Sequence, residues 1–205
     1  MKITKTLIGL LLFITFASCS DDDSITDNNQ ESKSYELVDM QWKLKATDGQ
    51  SIIEKQIPEF NFQNNSDTIM EIVIEPLKNL EGSSTFKFED PITFSEINYQ
   101  NNMVSIPEEL SILSEEYSNL IGGIKVLLND EKSSFPFSSN VKISTDLASK
   151  STLTSNYTVF LRENRASFLA TFREKSTGET IRLRGNWIGL FFNNLENETI
   201  VNEID

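Results

Sequence analysis

The sequence predicts a mainly β domain, elongated and antiparallel, with at most one short helix. Three observations predict it. Apolar and polar residues alternate with period two in roughly ten or eleven short segments, the mark of half-buried strands. Turn formers such as Asp48-Gly49, Asn101-Asn102, Asn164 and Ser176-Thr177-Gly178 stand between those segments. Helical spacing of apolar residues is confined to one stretch, Pro107–Ile121.

The chain opens with Lys2 and Lys5, an apolar run from Leu7 to Phe16, and the small residues Ala17 and Ser18. A positive start, a short apolar middle and small residues before a cut make a secretory signal. The run is too short to cross a ~30 Å hydrocarbon core, which takes roughly 20 residues. Phe16-Ala17-Ser18-Cys19 resembles the bacterial lipobox, which implies cleavage before Cys19 and acylation of that cysteine. Ser20, Asp21, Asp22 and Asp23 resemble the acidic export signal of lipoproteins of the Bacteroidetes group. That resemblance implies a lipid-anchored protein exposed on the outer face of the cell outer membrane. The expected organisation is a lipoprotein signal peptide at 1–18, a lipidated disordered tether at 19–34, and one mainly β domain at 35–205. The tether reading rests on its acidic, polar composition without aromatic residues.

From Tyr35 onward Val38, Met40, Trp42, Leu44 and Ala46 alternate with Asp39, Gln41, Lys43 and Lys45, which predicts a strand. Asp48-Gly49 predicts a hairpin turn into Ser51–Ile57, and Pro58 ends that strand. Phe60–Phe62 precedes a polar break at Gln63–Asp67, and Thr68–Glu75 is the next strand. Ser84–Glu89, Ile92–Tyr99 and Met103–Ile106 follow as strands. Pro107 at a first position, Glu108 and Glu109 in a first turn, and Leu110, Leu113, Tyr117, Leu120 and Ile121 predict one amphipathic helix, with a strand as the alternative. Strands resume at Ile124–Leu128, Val141–Leu147, Thr152–Arg162, Ala166–Lys175 and Glu179–Phe192, and the tail from Asn193 reads as polar and acidic.

Composition bounds the chemistry. There is no histidine, and Cys19 is the only cysteine. Imidazole- and thiolate-based triads and the usual zinc sets are therefore excluded, and no disulfide is on offer. No nucleotide loop, metal-ligand cluster or nucleophile elbow is present, so no catalytic residue, cofactor site or metal site is assigned. The expectation is a non-enzymatic protein, with a carboxylate-based glycosidase as a minor reading. The signal carries two lysines and no acid, which leaves 16 basic against 31 acidic residues, a net charge of −15. Such a charge repels phosphate backbones, so nucleic acid is not an expected partner. Six basic residues nevertheless cluster between Arg162 and Arg184; they either form a basic face or pair with acidic neighbours on adjacent strands. Asp23-Ser24-Ile25 resembles an O-glycosylation motif of the same bacterial group, which makes Ser24 a candidate acceptor; Asp67-Thr68-Ile69 is a second, weaker match.

The C-terminal third carries a more specific pattern. Leu153–Val159 is rich in Ser and Thr. Ala166-Ser167-Phe168-Leu169-Ala170-Thr171-Phe172, Thr177-Gly178-Glu179 and Leu183-Arg184-Gly185-Asn186-Trp187-Ile188-Gly189 follow it. This succession resembles the closing strands of the aerolysin-like β-pore-forming proteins, in the epsilon-toxin and mosquitocidal-toxin branch. Upstream, Phe60-Asn61-Phe62-Gln63-Asn64-Asn65-Ser66 resembles the start of their long strands, so the likeness spans residues 60–192. It implies an aerolysin-like β-sheet domain that binds a target membrane or glycan receptor and forms homo-oligomers. It also implies an amphipathic hairpin that inserts as part of a barrel. A membrane-crossing strand takes about 9–11 residues, apolar outward and polar inward. Leu120, Ile124, Val126 and Leu128 share one parity. After a turn over 129–136, so do Phe137, Val141, Ile143 and Leu147, against Ser138, Asn140, Lys142, Ser144 and Asp146. Residues 120–147 are thus the candidate insertion hairpin.

The alternative is a surface binding module for a ligand or glycan, a lipocalin-like barrel or a β-sandwich. Met40-Gln41-Trp42-Lys43-Leu44 with Asp48-Gly49 resembles an opening lipocalin strand and turn. Strand length separates the two readings. Strands of 15 or more residues along a narrow rod favour the pore-former, and a compact closed barrel with an apolar cavity favours the binder.

Overall fold

The computed structural model describes residues 33–99, 102–137, 139 and 141–204. Cys19, the export signal at Ser20–Asp23, Ser24, and the signal and tether up to residue 32 lie outside the described residues. The fold is mainly β and antiparallel, with one short helix. Its strands are β1 (Ser34–Lys43), β2 (Gly49–Gln56), β3 (Phe60–Asn64), β4 (Met70–Ile74), β5 (Glu81–Phe88), β6 (Asn98–Tyr99) and β7 (Met103–Ile106). They continue with β8 (Ser118–Asn119), β9 (Ile124–Leu127), β10 (Ser133–Pro136), β11 (Ile143–Leu147), β12 (Ser151–Glu174) and β13 (Thr180–Glu203). The helix α1 covers Pro91–Glu96. No helix among the described residues is long and apolar enough to cross a membrane.

The frame is the hairpin of β12 and β13, each 24 residues long and paired from Ser151↔Glu203 to Arg173↔Thr180. At about 3.3 Å per residue it runs for roughly 80 Å. Two predicted strands, Thr152–Arg162 and Ala166–Lys175, are therefore one. Asn164 is not a turn residue but a buried mid-strand residue. The tail from Asn193 continues as β13 through Glu203. Its side chains are exposed on both faces past Asn197, so it carries no alternation to read.

Along the outer edge of β12 three strands follow one another in the same direction. β1 pairs with Ser167–Glu174, β2 with Thr158–Arg165, and β3 with Ser151–Ser155. Asp48-Gly49 is thus an interruption of one long edge, not the predicted hairpin turn. Lys45 N–H donates to the Asp48 carboxylate at 2.8 Å there, and Gly49 takes φ 153°. Pro58, which has no N–H to donate, sits at the second interruption. A bulge between Leu37 and Asp39 leaves Val38 as the extra residue and outward, while Tyr35 and Trp42 point into the core. β5 and then β10 extend the sheet beyond β13. The main sheet is open, with β10 and β6 at its ends, so the lipocalin-like barrel does not form.

Two corrections concern helices. Ile92–Tyr99, read as a strand, begins with α1. Asp90 accepts from Thr93 N–H at 3.0 Å, Pro91 stands in the first turn, and Phe94 stacks on Phe88 with ring centroids 3.7 Å apart. The helix predicted at Pro107–Ile121 shrinks to a single 3₁₀ turn at Leu110–Ile112. The carbonyls that a helix would use are already taken. Glu108 O accepts from Asn164 Nδ2 at 2.7 Å and from Arg162 Nη2 at 3.1 Å. The amphipathic signal was real in one respect, because Leu110 and Leu113 are buried.

The upper core contains Trp42, Phe86, Phe168, Phe172 and Trp187, covered by α1 and the β7–β9 pair. The lower core holds Ile72, Ile74, Leu147, Leu153 and Tyr157 under the β4–β11 pair, and Leu77, Val159 and Leu161 continue it. On β12 the upper core takes the even residues Ala166, Phe168, Ala170 and Phe172, and the lower core takes the odd residues Leu153, Tyr157, Val159 and Leu161. Pairing with β2 is continuous from Thr158 to Arg165, so β12 has no bulge at the switch. Successive side chains of a strand point to opposite faces. The two cores therefore lie on opposite faces of the same hairpin. On β13 Leu183, Trp187 and Phe191 face the upper core and Leu190 and Phe192 the extension of the lower one; a register shift at Asn193 then puts Leu195 on the face of Leu190 and Phe192.

Candidate membrane-insertion segment

Among the described residues, those of 120–147 do not form a hairpin with each other. Their first arm, β9, pairs with β7 in register Val126↔Val104. Their middle, β10, pairs with β5, and their second arm, β11, pairs with β4 in register Ser144↔Val73. The apolar parity of each arm faces a core. Leu128 and Val126 are buried in the upper core, with Leu120 and Ile124 half-buried beside them. Leu147 is buried in the lower core, and Phe137, Val141 and Ile143 pack half-buried against it or its extension. The segment thus passes from one face of the frame to the other. Each fully buried leucine holds about 1.5–3 kcal/mol of burial free energy.

Polar contacts fasten both arms. The Tyr99 hydroxyl donates to Leu128 O; burial, with the Asp130 charge adding, pushes its phenol up to about 12. Lys142 Nζ lies 2.5 Å from the Glu75 carboxylate and holds that carboxyl below its usual range. Ser144 donates to Glu71 at 2.7 Å. The outward residues Lys142, Ser144 and Asp146 are exposed, as the predicted polar face requires. Gly122 and Gly123, at φ 82° and 90°, allow the turn ahead of β9, and Ile121 beside them is 98% exposed.

The sequence patterns that resemble the aerolysin-like closing strands act here in packing. A Cβ on Gly185 would overlap the Phe168 ring and the Lys87 carbonyl, so only glycine lets β12 and β13 close around that phenylalanine. Trp187 donates from Nε1 to Ser84 Oγ at 2.8 Å in the core. Phe60 and Phe62 pack on the lower core. Thr68 sits in an exposed turn before β4, not within the strand.

Three residues with structural roles escaped the sequence reading. Asn64, 2% exposed, donates from Nδ2 to Thr68 O at 2.8 Å, Leu147 O at 3.1 Å and Ala148 O at 2.8 Å. Asn164 binds Glu108 O as described. Glu174, 4% exposed, accepts from the N–H and hydroxyl groups of Ser176 and Thr177 in the β12–β13 turn. Those bonds bring its carboxyl down to about 2. Only Ser176-Thr177-Gly178 signalled this site beforehand. The basic run divides: Arg162, Arg165 and Arg173 pair with Glu109, Glu163 and Glu36, whereas Arg182 and Arg184 have no carboxylate within 4.0 Å among the described residues.

No family model matches the sequence, and no curated protein matches it. Among solved structures, the chain is similar to the lamprey immune protein, at 13% identity and a TM-score of 0.48 over 83% of this chain. It spans 54% of that protein's length. It is also similar to parasporin-2, a Bacillus thuringiensis toxin that recognizes cancer cells, at 11% identity and a TM-score of 0.37, covering 86% of this chain and 79% of that one. An aerolysin-like protein of Bombina maxima matches at 12% identity and a TM-score of 0.30, covering 82% of this chain and 97% of that one.

Proposed function

We propose that this is a surface-exposed outer-membrane lipoprotein, anchored through acylated Cys19, whose aerolysin-like β-domain binds membranes. In this reading it oligomerises and inserts residues 120–147 as a pore hairpin, and it is not an enzyme. One observation carries the reading. The frame is an open sheet on two 24-residue strands, the geometry that separates a pore-former from a closed ligand barrel. The segment to be inserted has one apolar and one polar parity, and its arms are held by short two-stranded pairings, not by the long hairpin.

The test is leakage of dye-loaded vesicles by the mature chain carrying Cys19→Ser, with SDS-resistant oligomers sought in parallel. Val73 and Ser144 stand directly opposite on β4 and β11, and both are exposed. A Val73→Cys/Ser144→Cys disulfide keeps the second arm in place. Leakage that is blocked when the pair is oxidised and restored by reductant supports insertion of this arm. Equal leakage from the oxidised form rules this arm out, and no leakage on any membrane sinks pore formation. A binding module is the second reading. It is favoured by a groove of about 430 Å³ lined by Ile57, Pro58, Phe60, Pro76 and Leu80, with Lys55 and Glu75 at its rim.

A further inference from the structure

Past the end of β5 the outer edge of β13 is uncovered. A groove of about 320 Å³ opens there, lined by Glu89, Asp90, Leu169, Arg182, Leu183 and Arg184. The bond from Glu89 N–H to Arg184 O, 2.9 Å, carries the pairing one residue beyond β5, and Asp90 then caps α1. Arg182 and Arg184 are two residues apart on one strand. They share a face, with about 7 Å between them, and both are exposed.

The charges in this groove do not neutralise one another. Arg162, Arg165 and Arg173 each hold a glutamate, but neither Arg182 nor Arg184 has a carboxylate within 4.0 Å among the described residues. Glu89 and Asp90, on the opposite wall, are turned to other partners. Glu89 receives Lys45 at 3.2 Å through one oxygen, and Asp90 accepts the N–H and hydroxyl of Thr93. Arg182 and Arg184 on β13 make one side of the groove cationic, Glu89 and Asp90 beyond β5 make the other anionic, and the half-buried Leu169 of β12 flanks Arg184 on the side away from the carboxylates.

A ligand with both signs at a short separation fits this pattern. Guanidinium groups bind phosphate through paired N–H donors. The Lys45 contact shows that the Glu89 carboxylate is oriented for an ammonium. A quaternary ammonium is held by aromatic faces, and no aromatic residue lines the groove. A primary ammonium, with three N–H donors, suits carboxylates instead. A purely anionic ligand would meet two carboxylates here and a chain of net charge −13. A zwitterion avoids both costs. We propose that this groove binds the phosphoethanolamine group, with its phosphate on Arg182 and Arg184 and its ammonium at Glu89. The inference rests on the membrane-binding reading and names the head group recognised.

The experiment is flotation of the mature chain carrying Cys19→Ser with vesicles of phosphatidylcholine alone, phosphatidylcholine with phosphatidylethanolamine, and phosphatidylcholine with phosphatidylglycerol. Phosphatidylethanolamine is expected to strengthen binding by about tenfold or more over the other two, since hydrogen bonds to charged groups are the strong ones. Arg182→Gln/Arg184→Gln, with unchanged near-UV dichroism, removes the preference, and Glu89→Gln weakens it. Soluble O-phosphoethanolamine distinguishes the sources. Competition by it means the free group suffices, and phosphatidylethanolamine-dependent flotation without competition means the group is read only on a bilayer; either outcome supports the groove. Equal binding to all vesicles, or an unchanged preference in the double variant, overturns the head-group inference and leaves membrane binding standing. No binding to any vesicle and no response to O-phosphoethanolamine ends both.

Discussion

Asn164 Nδ2 donates to Glu108 O at 2.7 Å, tying the middle of β12 to the segment that leads towards β9. The side chain is fully buried, and its neighbour two residues back, Arg162, reaches the same carbonyl. Asn164→Ala removes one of the two donors on Glu108 O, so a loss of about 0.5–1.5 kcal/mol is expected in denaturant unfolding. Asn156→Ala, on the wetter face of the same strand, is expected to stay within about 0.5 kcal/mol. Equal effects of the two would show that the Glu108 contact contributes nothing.

Gly185→Ala places a methyl group against the Phe168 ring and the Lys87 carbonyl. Overpacking of this kind costs about 1–3 kcal/mol. Phe168→Leu in the same chain relieves only the ring contact, because the Lys87 carbonyl belongs to the main chain of β5. The double variant is therefore expected to remain less stable than Phe168→Leu alone by thermal unfolding.

Asn64 joins the ends of β3 and β11 to the turn before β4 through the two N–H groups of its amide, which reach three carbonyls. Asn64→Ala is expected to cost about 1–3 kcal/mol and to raise amide exchange in β11 above that in β9. Uniform exchange along both arms would deny Asn64 a local role.

Glu174 has a folded-state pKa of about 2, below its ordinary 4.5, because the Ser176 and Thr177 hydroxyl and amide groups bind its ionised form. A depressed carboxyl contributes stability that is fully present above the unfolded value and is lost as pH falls through the folded one. Unfolding midpoints are therefore expected to fall between about pH 5 and pH 2, and Glu174→Gln is expected to flatten part of that fall. A carboxyl that titrates at 4.5 in the folded protein by NMR would remove this account.

Much of the fold was legible because burial followed simple periodicity. Phe168, Ala170 and Phe172 recur at every second position and face the upper core, and Met70, Ile72 and Ile74 do the same for the lower one. Legibility failed where tertiary partners overrode local signals. Asn164 looks like a turn residue until Glu108 is placed beside it, and Pro107–Ile121 looks helical until Arg162 and Asn164 occupy its carbonyls. Asp48-Gly49 has the composition of a hairpin turn, yet β1 and β2 both find a partner in β12. The candidate hairpin was legible as two amphipathic arms. Their separate pairings with β7 and β4 were not, because period two names a face and not a neighbour. The groove at Arg182 and Arg184 was visible only as a basic run, since which arginines pair depends on strand order.

The placement of the frame at the end of the chain has a consequence in time. β1, β2 and β3 have β12 as their long partner, and β5 meets β13. A chain emerging from its N-terminus displays these edges before the strands that cover them exist. The main sheet cannot close until residues 151–203 are made, and before then only the smaller pairings, β7 with β9, β4 with β11 and β5 with β10, have both partners. The two strands that every long edge needs are thus the last of the described ones to be made.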